Sequence, residues 1–159
     1  ITKVKKKEEL ISAIEHAYTE DNEVIVEEAI DGREFSVGII NYNNAPMVLP
    51  ITEIQSENEF FDFDAKYQGK SKEITPAEID ITIKNKIQEE ALKIFRLLKL
   101  KGLTRAEFIV RERVPYFIEI NTCPGLTEAS ILPQQAQAAN ISLENLYSNA
   151  IEIALKGHK

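Results

Sequence analysis

Apolar residues recur at Leu10, Ile11, Ile14, Ala17 and Tyr18 with lysines and glutamates between them, the spacing of one helical face over residues 7–20. Asp21-Asn22 ends that helix, and residues 23–29 (EVIVEEA) read as a strand closing on the Asp31-Gly32 turn signal. From Glu34 to Ile40 the period shortens to two: Phe35, Val37 and Ile39 alternate with Glu34, Ser36 and Gly38, which predicts a second strand. Residues 41–45 form a polar turn, and Pro46 to Ile54 return as another strand. Residues 55–74 keep neither period. They are acidic and carry Phe60, Phe61, Phe63 and Tyr67. A loop of about 20 residues is long for a compact domain, and composition alone suits a solvated surface excursion as well as a lid or binding segment. The aromatics tip the balance modestly to the second, because idle exposed aromatics would be costly.

Thr75-Pro76-Ala77-Glu78 has the form of a helix start, with Thr75 as cap, Pro76 at the first helical position and Glu78 reaching back to the cap amide. The helix buries a stripe of Ile79, Ile83, Ile87, Ala91, Ile94 and Leu98, runs to about Leu100 and stops at Lys101-Gly102. Two strands follow, Leu103 to Arg111 and Pro115 to Asn121, then a loop with Pro124-Gly125 and a short helix beginning near Ser130. A last helix, capped by Ser142, uses Leu143, Leu146, Tyr147, Ala150, Ile151 and Ala154. The class is α+β with a mostly antiparallel sheet flanked by helices.

The 159 residues suit one domain of ordinary size and leave little room for two full ones. The formal charge of −7 argues against duplex nucleic acid or an anionic membrane as partner. No apolar stretch is long enough to cross a bilayer. The single Cys123 excludes an internal disulfide and makes a reducing compartment the default. The chain opens at Ile1-Thr2-Lys3-Val4 without a Met, directly into a helical pattern, and is expected to be a piece of something longer.

Chemistry concentrates in GLTRAEFIV and YFIEINTCPG. If these strands form a hairpin with Glu112, Arg113 and Val114 as its loop, Arg111 faces Pro115, Glu107 faces Glu119, and Arg105 faces Asn121. Arg105, Glu107, Glu119 and Asn121 then share one face, while Ala106, Phe108, Val110, Tyr116, Ile118 and Ile120 make the apolar one. Two carboxylates opposed at about 5 Å repel unless a cation lies between them. An ordinary charged sheet face, a carboxylate pair sharing a proton, and a divalent-metal site all satisfy the pattern. The Asn121 amide favours the metal over acid–base chemistry, because an amide cannot titrate yet coordinates well. Mg²⁺ held by one or two carboxylates usually takes its other ligands from phosphates, which points to a nucleotide.

At these residues the sequence resembles the C-terminal part of the D-alanine–D-alanine ligase family, within the ATP-grasp superfamily. The likeness runs in order along essentially the whole chain. It is carried by residues 26–34 (VEEAIDGRE), 60–67 (FFDFDAKY), 105–107 (RAE) and 119–127 (EINTCPGLT) with Ser130. The resemblance implies that residues 1–33 are the end of the central lobe and 34–159 the C-terminal lobe, with the metal and D-alanine sites. Glu27, with the backbone of Glu28 and Ile30, would meet adenine, and Glu34 the ribose hydroxyls. Glu107, Glu119 and Asn121 would hold two Mg²⁺ (or Mn²⁺) at the ATP phosphates, and Lys66 would reach the transferred phosphate. Arg105 and the Gly125 N–H would form an oxyanion hole. Ser130 and the Ile131 amide would bind the second D-alanine's carboxylate, and Tyr67 is linked to D-alanine as second substrate.

The resemblance further implies a cytoplasmic enzyme of peptidoglycan precursor synthesis, with ATP and D-alanine as partners, neither nucleic acid nor membrane, and a homodimer as the usual assembly. The chain departs from the family pattern at two points. Arg105-Ala106-Glu107 stands where Arg-x-Asp is common. The family's N-terminal domain, its Gly/Ser-rich phosphate loop and its ATP-gripping lysines are not among these 159 residues, so this stretch alone is expected to be inactive. A non-catalytic nucleotide-binding module, and a ligase taking D-serine or D-lactate, are the rival expectations. Cys123, with no His near it in sequence, is expected to be a bystander.

Overall fold

The computed structural model describes residues 1–56 and 71–156, which divide into two units, Ile1–Ile30 and Asp31–Lys159. In the first unit a short 3₁₀ turn, Lys7–Glu9, leads into helix α1, Leu10–Ala17. This is the centre of the expected helix, and none of its residues is buried. The expected strand over 23–29 is not formed. Ile25 and Val26 stand exposed and no described residue pairs with them, and strand propensity without a ladder partner does not make a strand.

The second unit is a sheet with helices on both faces. Its strands are β1 (Arg33–Tyr42), β2 (Ala45–Val48), β3 (Thr52–Ser56), β4 (Ser71–Ile74), β5 (Leu103–Arg111) and β6 (Val114–Asn121). Among the described residues the order is β4-β3-β1-β5-β6, with β2 also on β1, and each printed pairing is antiparallel. The helices are α2 (Ile81–Leu97), α3 (Ile131–Ala138) and α4 (Leu143–Lys156).

The single strand expected over Pro46 to Ile54 is in fact two. β2 pairs with the second half of β1 and β3 with the first half, and residues 49–51 step between them. Pro50 has no N–H to give a ladder there, although Leu49 N–H still reaches the Gly38 carbonyl at 2.9 Å. The long loop expected over 55–74 begins and ends in strand, because Ser56 pairs with Ser71 and Gln55 with Lys72. Its centre, with Phe60, Phe61 and Phe63, lies outside the described residues.

Helix α2 does not start at Thr75. The Thr75-Pro76 peptide is cis, the Thr75 hydroxyl lies 2.6 Å from that of Thr52, and the N-cap is Asp80, which accepts from the N–H groups of Thr82 and Ile83. The buried stripe is Ile83, Ile87, Ala91 and Phe95, so Phe95 takes the place expected of Leu98, which is exposed. This stripe packs on Phe35, Val37, Ile39, Ala106, Phe108 and Val110 of the sheet. The opposite face carries a second cluster, in which Ile40 and Leu49 meet Leu132, Ala136, Ile141 and Leu146 of and around α3 and α4. As expected, Ser142 heads α4, with its Oγ accepting from Asn145 N–H at 3.2 Å.

The β5–β6 hairpin has the expected pairing at its base, Arg105 with Asn121 and Glu107 with Glu119, but reaches it by another route. Its loop is two residues, Glu112 and Arg113, both with positive φ (50° and 67°), and Arg111 pairs with Val114 rather than Pro115. A register shift follows Glu107, where Phe108 pairs with Phe117 and Ile118 is the extra residue. The shorter loop and the bulge cancel at Glu119. Between them the faces exchange. Phe117, not Tyr116 or Ile118, meets Phe108 edge-on at 5.7 Å, and Tyr116 joins Arg111, whose guanidinium lies 5.0 Å over its ring.

Candidate functional site

Residues directly opposite on neighbouring strands share a face, as do residues two apart. On the side away from α2 the register therefore aligns Thr52, Ser36, Glu107 and Glu119 in one row, and Gly38, Arg105 and Asn121 in the next. Glu34 and Glu73, both opposite Ile54, stand in the row on the other side of the Glu107 row. Strand alternation thus brings Arg105, Glu107, Glu119, Asn121 and Glu34 to a single face.

Arg105 answers the repulsion of the two opposed carboxylates. Its Nε lies 2.8 Å from Glu107 Oε1, with both side chains about one-tenth exposed. The Ser36 hydroxyl donates to the same oxygen at 3.3 Å. Glu119, directly across, is exposed. Asn121 Oδ1 accepts the Cys123 N–H at 2.8 Å and so turns the chain out of β6. A carbonyl oxygen has two lone pairs, so this turn leaves one for another donor or a cation. Glu73 is half-buried. Burial pushes its carboxyl above the ordinary range, while a hydrogen bond from Gln134 and the Arg105 charge pull it back.

The loop after β6 folds against the start of α3. A Cβ on Gly125 would come within 2.8 Å of Ser130 Oγ, so a residue without one lets these two meet. Ser130 takes the N-cap position in an extended conformation (φ −77°, ψ 150°), but its hydroxyl makes no cap bond. It pairs instead with Thr127 Oγ1 at 2.9 Å, and the Ser130 N–H donates to the Thr127 carbonyl at 2.8 Å. From α4, Tyr147 Oη donates to the Leu126 carbonyl at 2.6 Å. Cys123 is exposed in this loop.

Glu27, Glu28 and Ile30 belong to the first unit, where the two glutamates are exposed and Ile30 is half-buried. Lys66 and Tyr67 lie outside the described residues. Among the described residues no group of three or more His, Cys, Asp or Glu side chains is placed to hold a metal. The facing set is two carboxylates and an amide oxygen. These are hard donors of the kind Mg²⁺ takes while its remaining positions go to water or phosphate, so the donor chemistry fits that ion.

Sequence reasoning passed over Ser36, Glu73, Gln134 and Gln135. Ser36 could have been found, because it alternates with Glu34 on the polar side of β1. The glutamines had no such signal, since helical glutamines read as solvated positions.

A family model described as D-ala D-ala ligase C-terminus matches residues 1–152. The chain is 56% identical over 155 residues to the D-alanine–D-alanine ligase of Flavobacterium johnsoniae, covering 98% of this chain and 48% of that protein. It is 41% identical to the ligase of the same name from Fervidobacterium nodosum, covering 94% of this chain and 48% of that one. The chain thus spans about half the length of the curated relatives it matches. Among solved structures, D-alanine–D-alanine ligase from Bacillus anthracis complexed with ATP is similar with TM-score 0.81 and 32% identity, covering 95% of this chain and 47% of that one. The VanG D-Ala:D-Ser ligase of Enterococcus faecalis is similar with TM-score 0.81 and 34% identity, over 93% of this chain and 43% of that one. With a family match over nearly its whole length, the chain belongs to the D-ala D-ala ligase C-terminus family.

Proposed function

We propose that this chain is the C-terminal part of an ATP- and Mg²⁺-dependent ligase that joins two D-alanines for peptidoglycan precursor synthesis in the cytoplasm. The observation that carries the proposal is the row of facing residues, in which Glu107 opposes Glu119 and Arg105 opposes Asn121 on one face. In the reaction the carboxylate of the first D-alanine takes the γ-phosphoryl group and ADP leaves. The amine of the second D-alanine then displaces phosphate, losing a proton as the peptide bond forms.

Glu107, Glu119 and Asn121 would hold Mg²⁺, with Mn²⁺ as the alternative, and the ion would supply neutralisation of phosphate charge. Arg105 and the Gly125 N–H face the developing oxyanion, where fixed donors in a dry site lower the barrier. Ser130 and the Ile131 N–H, at the head of α3, hold the second carboxylate. Lys66 meets the transferred phosphate and Tyr67 favours D-alanine as second substrate. Glu27, Glu28 and Ile30 meet adenine and Glu34 the ribose. Residues 1–33 are assigned to the end of a central lobe and 34–159 to a C-terminal lobe. An N-terminal half supplies the rest of the ATP site, and the assembly is a homodimer. The likeness to a D-Ala:D-Ser ligase supports D-serine as the second reading for the acceptor.

The test is ADP release by the full-length protein with Mg·ATP and D-alanine. We expect one ADP per D-alanyl-D-alanine, and no turnover from the 159-residue chain alone. Nucleotide binding without ligation by the full-length protein would favour a non-catalytic module instead.

A further inference from the structure

Two adjacent glutamines fasten α3 to the sheet. Gln135 is fully buried, and its Nε2 donates to the Ser36 carbonyl of β1 at 2.9 Å and to Thr52 Oγ1 of β3 at 3.0 Å. Gln134 Nε2 donates to Glu73 Oε2 of β4 at 3.3 Å and to the Ala129 carbonyl at 2.8 Å. Because β4, β3 and β1 are successive strands, the two amides reach three neighbouring strands from one turn of helix.

An apolar side chain would fill the place of Gln135 without desolvating an amide. Its Oε1 has no hydrogen-bond partner among the described residues, and a Cβ at Gly38 would come within 2.7 Å of that oxygen. Burying an amide with its acceptor unsatisfied is a cost that packing alone does not explain. The two donor bonds do explain it, the one to Thr52 by tying α3 to β3 and the other through Ser36. Its carbonyl is held by Gln135, and its hydroxyl donates to Glu107 Oε1 at 3.3 Å. One residue thereby joins α3, headed by Ser130, to the face that carries Glu107.

We propose that Gln135 is a positioning residue that, through its bonds to Ser36 and Thr52, fixes the head of α3, with Ser130 and the Ile131 N–H, relative to Glu107. The consequence for catalysis rests on the proposed function, in which the head of α3 holds the carboxylate of the second D-alanine.

The experiment compares wild type, Gln135→Met, Thr52→Val and Thr75→Val in the full-length protein by steady-state kinetics and amide hydrogen exchange. Gln135→Met keeps the length of the side chain and removes both donor bonds, whereas Thr52→Val removes the one to β3 together with the Thr52–Thr75 hydroxyl contact and leaves the one to Ser36. Gln135→Met is expected to raise KM for the second D-alanine about tenfold, with KM for ATP within about twofold of wild type. Thr52→Val is expected to give about a threefold rise of the same selectivity. Amide exchange over residues 131–135 should quicken in both. Should Gln135→Met fail to fold, Thr52→Val decides the matter when set against Thr75→Val, which removes only the contact between the two threonine hydroxyls and is expected to leave KM for the second D-alanine at the wild-type value. A folded Gln135→Met or Thr52→Val variant whose KM for the second D-alanine stays at the wild-type value, or whose kinetic constants all decline in parallel, overturns the proposal. Absence of ligation by the wild type would overturn the proposed function instead, and unchanged exchange in α3 would then overturn the positioning role by itself.

Discussion

Arg33 and Glu53 show how one pair can hold a strand edge in place. The Glu53 carboxylate is 5% exposed and takes two bonds from Arg33, Nε to Oε1 at 2.7 Å and Nη2 to Oε2 at 2.9 Å. Arg33 also donates to the Glu78 carbonyl at 2.8 Å and lies 5.0 Å over the Phe35 ring. The guanidinium holds the Glu53 carboxyl below its ordinary range. Because the folded pKa is the lower one, this stabilisation is present above the unfolded value. It is lost as pH falls from about 4.3, the ordinary glutamate pKa, through the folded one. Arg33→Met strands the buried carboxylate and should cost about 2 kcal/mol at pH 7, less than a fully buried pair because Arg33 is half-exposed. Urea unfolding at pH 7 and pH 3.5 checks both points, since the penalty should shrink at the lower pH. An equal penalty at both values would contradict the assignment. Arg33 was legible as part of the DGRE motif. Glu53 was not, because it lies 20 residues away in sequence.

At the scale of elements, the β5–β6 hairpin carries the site. Its register at Glu107 and Glu119 was legible because a two-residue loop and a one-residue bulge together give the offset of a three-residue loop. The exchange of Tyr116 and Phe117 between faces was not legible, since an alternating strand has no mark for a bulge. For helix α2 the sequence pointed to a start at Thr75, whereas the helix is capped by Asp80. The Thr75 hydroxyl is taken up by its tertiary contact with Thr52, which a reading of local sequence does not show. The hairpin turn itself is open to improvement. Both Glu112 and Arg113 sit at positive φ, where Asn and Gly are better suited. Glu112→Asn with Arg113→Gly should stabilise by about 0.5–1 kcal/mol and raise Tm by about 1–4 °C. The exposed ion pair of Arg113 with Asp80, at 3.1 Å, is the small loss set against it. A lower Tm would mean that this pair outweighs the turn.

For the whole molecule, the sheet separates two tasks. One face packs on α2 and makes the larger core, while the other gathers its charges and amides under α3 and α4. No helix among the described residues is long and apolar enough to cross a membrane. The polar face could be read from sequence because Arg105, Glu107, Glu119 and Asn121 alternate along two adjacent strands. The helix above it could not be fastened in advance, since its anchors pair residues as distant as Ser36 and Gln135. The proposed function stands or falls on whether Glu107, Glu119 and Asn121 together bind the metal that accompanies ATP. Calorimetric titration of a non-hydrolysable ATP analogue with and without Mg²⁺, into the full-length protein and its Glu119→Ala variant, tests it directly. Mg²⁺ is expected to strengthen binding to the wild type, and Glu119→Ala, still folded, is expected to lose this dependence. Mg²⁺-dependent binding that survives in Glu119→Ala at wild-type strength would contradict it.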